Sequence, residues 1–434
     1  MIVETTFENG LRVVLEPQPW LPTVAFKIRL NAGAVTEPED LSGLGAVLEE
    51  WSHRGAGGRP SRELADVLDA FGVQRSGGPG MEGLSFGASC LTDDLNSVLP
   101  LFADIVLRPN LTDDEFEPAR DLIRQDLEGQ DDNPPQKLFT RLRRAFFVSP
   151  HGRNVLGTRE TLERLNPRLA REDRERRFSP EGATISLAGG VDAEAAIGAL
   201  RTLFGGWRGE AVPRPVPVAR SGFYEHLPDG GAQEQIALIY PDVPPGAPGW
   251  FESRLAVNLL SNVGFSSRLV QKVREERGLA YSVSASSSVF RGGSALTVHA
   301  ATAPERAQEA LDVMLDEMNR LSEGVTPAEL DRSRISLRTS LVMSGESAAS
   351  RAAALASDLN LYGHPRELHE VLQALEQVQL DGLNAFLAAR PYANPAIMTL
   401  GSREVAPPSL VPQVVPAGET MTDGRAAFTL GGGS

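Results

Sequence analysis

The stretch Gly43-Leu-Gly-Ala-Val-Leu-Glu-Glu-Trp-Ser-His53 predicts an amphipathic helix near the start of the chain. Its apolar side chains recur at the spacing of a helix with one buried face: Leu44, Val47, Leu48 and Trp51. Ala46 and Glu50 lie one helical turn apart, so their side chains project from the same flank. The identity of these two residues decides what chemistry the helix can support.

The positions match a known zinc-binding pattern, H-x-x-E-H, in which two histidines bind zinc and the glutamate activates water. Here the three positions are occupied by Ala46, Glu49 and Glu50. Alanine is no ligand, and a single carboxylate binds zinc poorly unless further donors converge on it. His53 lies about two turns beyond Ala46, so it does not replace the missing histidine. Taken alone, Glu49 and Glu50 could equally be solvated helix carboxylates.

Length and charge bound the class of protein. With 434 residues, of which 41% are hydrophobic and 23% charged, the chain predicts two or three globular domains. The formal net charge is -15, and the arginine-rich stretch 168–177 is interleaved with acidic residues. That stretch is typical of a solvated helix face, so we expect no nucleic-acid partner.

The cysteine content and the N-terminus indicate a compartment. Cys90 is the only cysteine, which excludes an intrachain disulfide and a zinc site of several thiolates. The first residues read as a strand, a turn at Asn9-Gly10 and a second strand, and they lack the basic and apolar regions of a signal peptide. We therefore expect a cytoplasmic protein without a membrane partner.

Two segments about half a chain apart share one layout. Each has an alternating strand, an amphipathic helix, a turn and a long second helix, from residue 83 to about 129 and from residue 295 to about 341. At one constant offset, a turn position and a strand position coincide: Thr112 with Thr326, and Leu84 with Val298. This match predicts a duplicated α+β unit.

A proline-rich segment, 209–221, separates the two copies and predicts a stiff, extended linker. The predicted divisions are an N-terminal half, 1–208, a C-terminal half, 222–425, and a tail, 426–434. The glycine cluster 76–83 is predicted to be a flexible loop rather than a phosphate-binding loop, because neither a lysine nor a helix start follows it.

The chain resembles the M16 peptidase family, which includes pitrilysin, insulin-degrading enzyme and mitochondrial processing peptidase. The resemblance covers nearly the whole chain, and it rests on the altered helix and on these segments: 55–62, Asn133-Pro134, 149–158, 189–192, 266–269 and, most specifically, Arg274-Glu-Glu-Arg-Gly-Leu-Ala-Tyr-Ser-Val283. It implies an α+β fold of two duplicated halves (the M16/LuxS-like metallohydrolase fold). Each half would be a mixed β-sheet with helices packed mainly on one face.

The resemblance also shows where this chain departs from the family. The third zinc ligand of the family is a glutamate on a long downstream helix, and Asp126 stands at that position here. All three ligand positions therefore differ: Ala46, Glu50 and Asp126. We expect this chain to bind no zinc, because two carboxylates without an imidazole favour magnesium or calcium, and only weakly.

A second part of the family's catalytic apparatus matches residue by residue. Family members carry an arginine and a tyrosine in the C-terminal half that bind the substrate carbonyl and stabilise the developing oxyanion, and Arg274 and Tyr281 occupy these positions. Both side chains are donors that can face growing negative charge. Without that context, they would read as an exposed helix residue and a strand aromatic.

The resemblance implies a division of labour. In two-subunit bacterial members, one chain holds the zinc and the other supplies the arginine–tyrosine pair. The expected function is therefore a non-catalytic subunit of a heterodimeric M16-type zinc metallopeptidase, which acts on an extended peptide together with a zinc-bearing partner. One alternative is a catalytically silent structural or peptide-binding homodimer. Another is an active metalloenzyme whose site is rebuilt from Glu50, Asp126 and His53.

Overall fold

The computed structural model describes residues 1–417, so the predicted tail, 426–434, lies outside the described residues. The chain divides into two compact units. Unit 1 comprises 1–220, 290–292 and 336–375, and unit 2 comprises the remaining described residues. The segment 336–375 lies within the predicted C-terminal half, 222–425, and nevertheless belongs to unit 1. The boundaries predicted for the two repeats, 1–208 and 222–425, stay a prediction.

Fifteen strands are formed within the described residues: β1 Val3–Thr6, β2 Arg12–Pro17, β3 Thr23–Leu30, β4 Gly55–Ala56, β5 Arg59–Pro60, β6 Gln74–Pro79, β7 Leu84–Leu91, β8 Thr184–Gly189, β9 Val218–Ser221, β10 Phe223–Pro228, β11 Glu234–Asp242, β12 Ala280–Phe290, β13 Gly293–Thr302, β14 Ala396–Gly401 and β15 Gln413–Pro416. The predicted strand–turn–strand at the N-terminus is confirmed as β1 and β2, with Gly10 in the left-handed region at φ 85°.

The same part of the chain forms fourteen α-helices: α1 Leu44–His53, α2 Ser61–Ala70, α3 Leu95–Leu107, α4 Asp113–Asp132, α5 Pro134–Phe146, α6 Arg159–Arg164, α7 Pro167–Arg177, α8 Ala193–Phe204, α9 Trp250–Ser261, α10 Ala307–Arg320, α11 Pro327–Gly345, α12 Ala348–Leu361, α13 Leu368–Gln377 and α14 Leu380–Ala389. None of the helices described is long and apolar enough to span a membrane.

The sheet of unit 1 is mixed and has the strand order β1-β2-β8-β3-β7-β6. Strands β2 and β8 run parallel, and the other neighbours run antiparallel. One face packs on the main core, where Phe26 of β3 meets Phe102 of α3 edge to face at 5.0 Å. Trp51 of α1 packs on Phe116 of α4 at 4.9 Å. The apolar face predicted for α1 is thus the face that the core buries.

Helix α12 covers the opposite face of this sheet. Its alanines Ala348 and Ala352 pack on Ala25 and Ala188 of the central strands, where small side chains allow close approach. A polar contact fixes the position of the helix, since the Ser186 hydroxyl donates to the Ala352 carbonyl at 2.7 Å. Further along, Leu355 and Leu359 pack on Val14. Both faces of the sheet are therefore covered, one of them by a segment that is distant in sequence.

Unit 2 repeats the same sheet, with the order β10-β14-β11-β13-β12. Each strand has a counterpart in unit 1, and the parallel pair β10 and β14 corresponds to β2 and β8. Leu84 lies in β7 and Val298 in β13, which occupy equivalent places in the two sheets. The predicted α+β fold of two mixed sheets with packed helices is confirmed.

Each sheet ends in one long, accessible edge strand. In unit 1 this strand is β6, and the flexible loop predicted for 76–83 is therefore wrong in its first residues, which extend β6. Gly77 and Gly78 adopt φ 135° and 128°, which only glycine adopts readily, and a Cβ at Gly77 would lie 2.2 Å from the Ser85 carbonyl oxygen. In unit 2 the corresponding edge strand is β12.

The turn before α11 is held by an ion pair that makes unit 2 sensitive to acid. Glu329 accepts from Arg268 Nε at 2.7 Å and Nη2 at 3.1 Å, and from the Thr326 amide at 2.8 Å. Burial alone would raise the pKa of Glu329, but these hydrogen bonds and the Arg268 charge outweigh it and lower the pKa to about 2. The stabilisation is therefore present above the unfolded pKa of about 4.5 and is lost as the pH falls toward about 2.

We expect Glu329→Gln to lower the free energy of unfolding at pH 7 by about 1–3 kcal/mol, the range for hydrogen bonds to charged groups. The deficit should shrink as the pH is lowered from 5 to 2, because the parent then loses the same interaction. Urea unfolding of the parent and the variant at several pH values measures this difference in the free energy of unfolding. Glu323→Gln, at a nearby exposed position, serves as the control. A deficit that does not depend on pH would contradict the assignment.

Candidate functional site

Helix α1 is held at its N-terminus by a buried carboxylate. Gly43 is the N-cap residue and has no side chain to cap the helix, and its φ of 95° favours glycine. Glu37 takes over this role, accepting from the amides of Gly43 at 2.8 Å and Gly45 at 2.6 Å. Burial raises the pKa of Glu37, although the Arg177 charge and these two amides oppose the shift. The helix that carries the altered zinc motif is thus firmly positioned.

The three motif positions of α1 have other partners. Ala46 is fully buried within the apolar core. Glu49 pairs with His53 one turn later, with 3.3 Å between the carboxylate oxygen and Nε2. Glu50 accepts from Arg54 Nε at 2.8 Å, and the same guanidinium reaches Glu115 of α4 at 3.2 Å. Each carboxylate of the motif therefore contacts a basic side chain one turn further along the helix.

These residues do not fit a zinc ion. Asp126 lies on α4 with an exposed side chain, and the methyl group of Ala46 stands where a histidine would be needed. Within residues 1–417, no three His, Cys, Asp or Glu side chains come close enough together to hold a metal. Glu50, Asp126 and His53 therefore form no rebuilt site in the described structure. The absence of zinc binding by this chain stays a prediction.

Arg274 and Tyr281 are brought together by a tight turn in unit 2. Arg274 lies in a π-helical turn, Val270–Glu275, and Tyr281 is the second residue of the edge strand β12. Val273 and Leu279 are buried on either side of the turn, and the Leu279 amide donates to the Val273 carbonyl at 2.8 Å. Gly278 closes it with φ 57°, and its amide donates to the Arg274 carbonyl at 3.0 Å. The spacing of the motif thus produces one compact site.

The two side chains are in direct contact. The Arg274 guanidinium carbon lies 4.7 Å from the centre of the Tyr281 ring and 5.7 Å from the centre of the Phe265 ring. Such contacts hold a cation over an aromatic face. The guanidinium also lies 3.3 Å from the carboxylate of Glu275, which is itself half-exposed. Arg274 is therefore oriented by two rings and remains accessible to solvent.

The pair is accessible to a ligand. Tyr281 is 82% exposed and Phe265 is 70% exposed, which is unusual for two large aromatic side chains. No residue of the described chain forms a hydrogen bond with the Tyr281 hydroxyl. A phenol and a guanidinium next to each other can both donate to one carbonyl or carboxylate oxygen. The geometry suits the predicted role, and the role itself stays a prediction.

Phe265 is a site residue that the sequence alone did not indicate. Its segment, Asn262-Val-Gly-Phe265, precedes the Ser266–Leu269 motif and carries no chemical signature of its own. The structure places its ring against Arg274, and that contact depends on how the chain turns between α9 and the π-helical turn. An aromatic residue close to a recognised motif was the only available signal.

The comparisons with known proteins agree with the fold. Residues 12–159 match the family model of insulinase (peptidase family M16), and residues 170–337 match that of the peptidase M16 inactive domain. A protein named uncharacterized zinc protease from Mycobacterium tuberculosis (strain H37Rv) is 30% identical over 419 residues, covering 94% of this chain and 95% of that protein. One of the same name from Bacillus subtilis (strain 168) is 26% identical over 389 residues, covering 88% and 94%.

Two solved structures show the same architecture. The peptidase M16 inactive domain from Pseudomonas fluorescens superposes with a TM-score of 0.84 at 17% identity, covering 94% of this chain and 100% of that one. A protease from Helicobacter pylori gives a TM-score of 0.82 at 19% identity, covering 92% and 99%. Family models, full-length sequence similarity and fold all agree, and the chain belongs to the M16 peptidase family.

Proposed function

We propose that this chain is the non-catalytic subunit of a heterodimeric M16-type zinc metallopeptidase. It supplies Arg274 and Tyr281 to a peptide-hydrolysing site whose zinc is held by a partner chain. The observation that carries the proposal is an imbalance between two sites on one chain. The arginine–tyrosine pair is assembled and exposed, whereas the zinc-motif positions hold a buried alanine, paired carboxylates and an exposed aspartate.

The role of the pair follows from its chemistry. A peptide carbonyl gains negative charge on its oxygen as it is attacked, and donors aimed at that oxygen lower the barrier. The Arg274 guanidinium carries a fixed positive charge, and the Tyr281 hydroxyl supplies a second, neutral donor. Because the contact with the tyrosine ring orients the guanidinium before the substrate arrives, little ordering is needed on binding.

The neighbouring edge strand supports a peptide substrate. Tyr281 lies in β12, which is the last strand of its sheet and therefore has one side free of strand pairing within residues 1–417. An extended peptide can pair with such an edge through main-chain hydrogen bonds, which give affinity with little sequence selection. A peptide bound along β12 would pass directly beside the arginine–tyrosine pair.

The partner must supply what this chain lacks. It would hold the zinc ion and the residue that activates water for attack. This chain would contribute binding of the substrate and stabilisation of its carbonyl oxygen. We also assign the complex to the cytoplasm, because the single cysteine, Cys90, is buried and a thiol that forms no disulfide suits a reducing compartment.

The test is peptide hydrolysis by this chain alone and after mixing with its co-purified zinc-bearing partner, with zinc content determined for each sample. We expect no cleavage and no stoichiometric zinc for the chain alone, and zinc-dependent cleavage for the mixture. Cleavage by the metal-loaded chain alone would overturn the proposal. A stable homodimer that no zinc-bearing chain stimulates would instead support the alternative of a silent peptide-binding protein.

A further inference from the structure

Unit 1 contains a cavity of about 680 Å³ that no part of the proposed function uses. It lies between the C-terminal part of α4, the helix α5, the loop 149–158 and the start of α6. Its volume falls within the range of sites that bind small molecules or short peptide segments. The four zinc-motif positions, Ala46, Glu49, Glu50 and Asp126, do not line it.

The loop that forms one wall is held in place by hydrogen bonds. Arg153 donates to the Glu37 carbonyl at 2.8 Å, and Asn154 donates to Gln130 at 2.9 Å. The Thr161 hydroxyl donates to the Ser42 carbonyl at 2.7 Å. The cavity is therefore formed before any ligand binds, which lowers the entropic cost of binding.

Two glycines allow this close packing. A Cβ at Gly152 would lie 2.3 Å from the Phe147 carbonyl oxygen, and one at Gly157 would lie 2.2 Å from the Ser42 carbonyl oxygen. Gly157 also adopts φ 80°, in the left-handed region. The backbone of the loop can approach its neighbours this closely only with glycine at both positions.

The charges in the wall are not balanced internally. Of its five arginines, Arg153 lies near Glu39 at 3.9 Å and Arg159 pairs with Glu128 at 2.9 Å. The side chains of the other three have no hydrogen bond or ion pair within residues 1–417: Arg141, Arg144 and Arg220. Two further carboxylates face the cavity, Asp131 and Glu160.

Backbone and Thr158 hydrogen bonds lower the pKa of the Glu160 carboxyl group, which therefore contributes a negative charge to the wall. Five arginines and four carboxylates line the cavity, so its wall carries a net positive charge in a chain whose net charge is -15. Such an arrangement keeps an anion site accessible while the rest of the surface repels anions.

We propose that this cavity binds a carboxylate-bearing ligand, with Arg141, Arg144 and Arg220 as its anchors. Guanidinium groups bind carboxylates through paired hydrogen bonds, and Arg141 and Arg144 lie on the same side of α5 because they are three residues apart. Hydroxyl groups of Thr140 and Ser149 supply neutral donors, and Phe147 and Leu127 supply apolar contacts. This mixture suits an organic acid or the acidic side chains of a peptide better than a bare inorganic ion.

The test is isothermal titration calorimetry at low ionic strength with two probes, citrate and an end-capped hexaglutamate peptide. A hexaglutamine peptide is the control ligand. The variant is the full chain with Arg141→Gln and Arg144→Gln, and the control variant is Arg168→Gln, an exposed arginine of α7 that pairs with Glu172 outside the cavity. Thermal unfolding by circular dichroism verifies that each variant is folded.

We expect at least one acidic probe to bind the parent and the control variant, and to bind the double variant about tenfold or more weakly. Binding of citrate indicates a free polycarboxylate as the ligand, whereas binding of hexaglutamate alone indicates acidic peptide. The proposal is overturned if neither acidic probe binds the parent, if hexaglutamine binds equally well, or if the double variant retains parental affinity. The measurement needs no partner chain, so its outcome is independent of the proposed peptidase role.

Discussion

Replacing Tyr281 with phenylalanine is expected to lower the turnover of the assembled peptidase by about 10- to 1000-fold, the range for losing one oxyanion donor. The substitution removes only the hydroxyl, and the ring that contacts Arg274 remains. Tyr281 is 82% exposed, so neither folding nor assembly should suffer. The measurement is kcat of the purified complex with a fluorogenic peptide, at partner concentrations above saturation.

A matched control lies in the same turn. Arg277 is exposed, and its guanidinium does not lie over the ring of Tyr281 or Phe265. Arg277→Gln should therefore leave kcat within about twofold of the parent. The Michaelis constant helps to separate the possible roles, because a donor that acts mainly in the transition state changes kcat more than KM. Parental turnover by Tyr281→Phe would remove the tyrosine from the proposed mechanism.

Replacing Arg177 with alanine is expected to destabilise the fold of unit 1 strongly. Arg177 is 1% exposed, and it donates to Asp173 at 2.6 Å and to the Ala32 carbonyl at 2.5 Å. Its guanidinium also lies 3.9 Å from Glu37, the residue that caps α1. We expect Arg177→Ala to lower the free energy of unfolding by about 3–5 kcal/mol, because buried Glu37 would lose its compensating charge and buried Asp173 would keep only the partly exposed Arg176.

Urea unfolding followed by circular dichroism measures this loss. The neighbouring Arg176 is a suitable control, since it also pairs with Asp173, at 2.7 Å, but its side chain is 43% exposed. Arg176→Ala should cost less than about 1 kcal/mol, as is usual for an accessible ion pair. If both variants lost the same free energy of unfolding, burial of the Arg177 charge would not explain its contribution to stability.

Local patterns in the sequence predicted much of the fold. The repeat was visible because each copy contains its own strand, helix and turn signals, and Thr326 indeed caps α11, with its hydroxyl accepting from the Glu329 amide at 3.3 Å. The helix α1 was predicted from the spacing of four apolar residues that the core then buries. Such features depend on neighbours only a few residues away.

Features that depend on distant contacts were not predictable in the same way. Nothing local in Ala348–Leu361 indicates that it packs on strands some 160 to 345 residues earlier in the sequence. Glu37 caps a helix that starts several residues later, and its importance depends on Arg177, far along the chain. The site residues were reached through a resemblance, because a half-exposed arginine and an exposed tyrosine follow no periodicity.

The position of α12 determines how the gene could be divided. A fragment ending in the proline-rich linker would expose to water the alanine and valine surface that α12 normally covers, and the other fragment would carry an apolar helix without its support. Exposed apolar sheet faces promote aggregation. The two duplicated halves are therefore not independent modules. If they were co-expressed as separate fragments, the C-terminal fragment would have to supply α12 to the sheet of the N-terminal fragment.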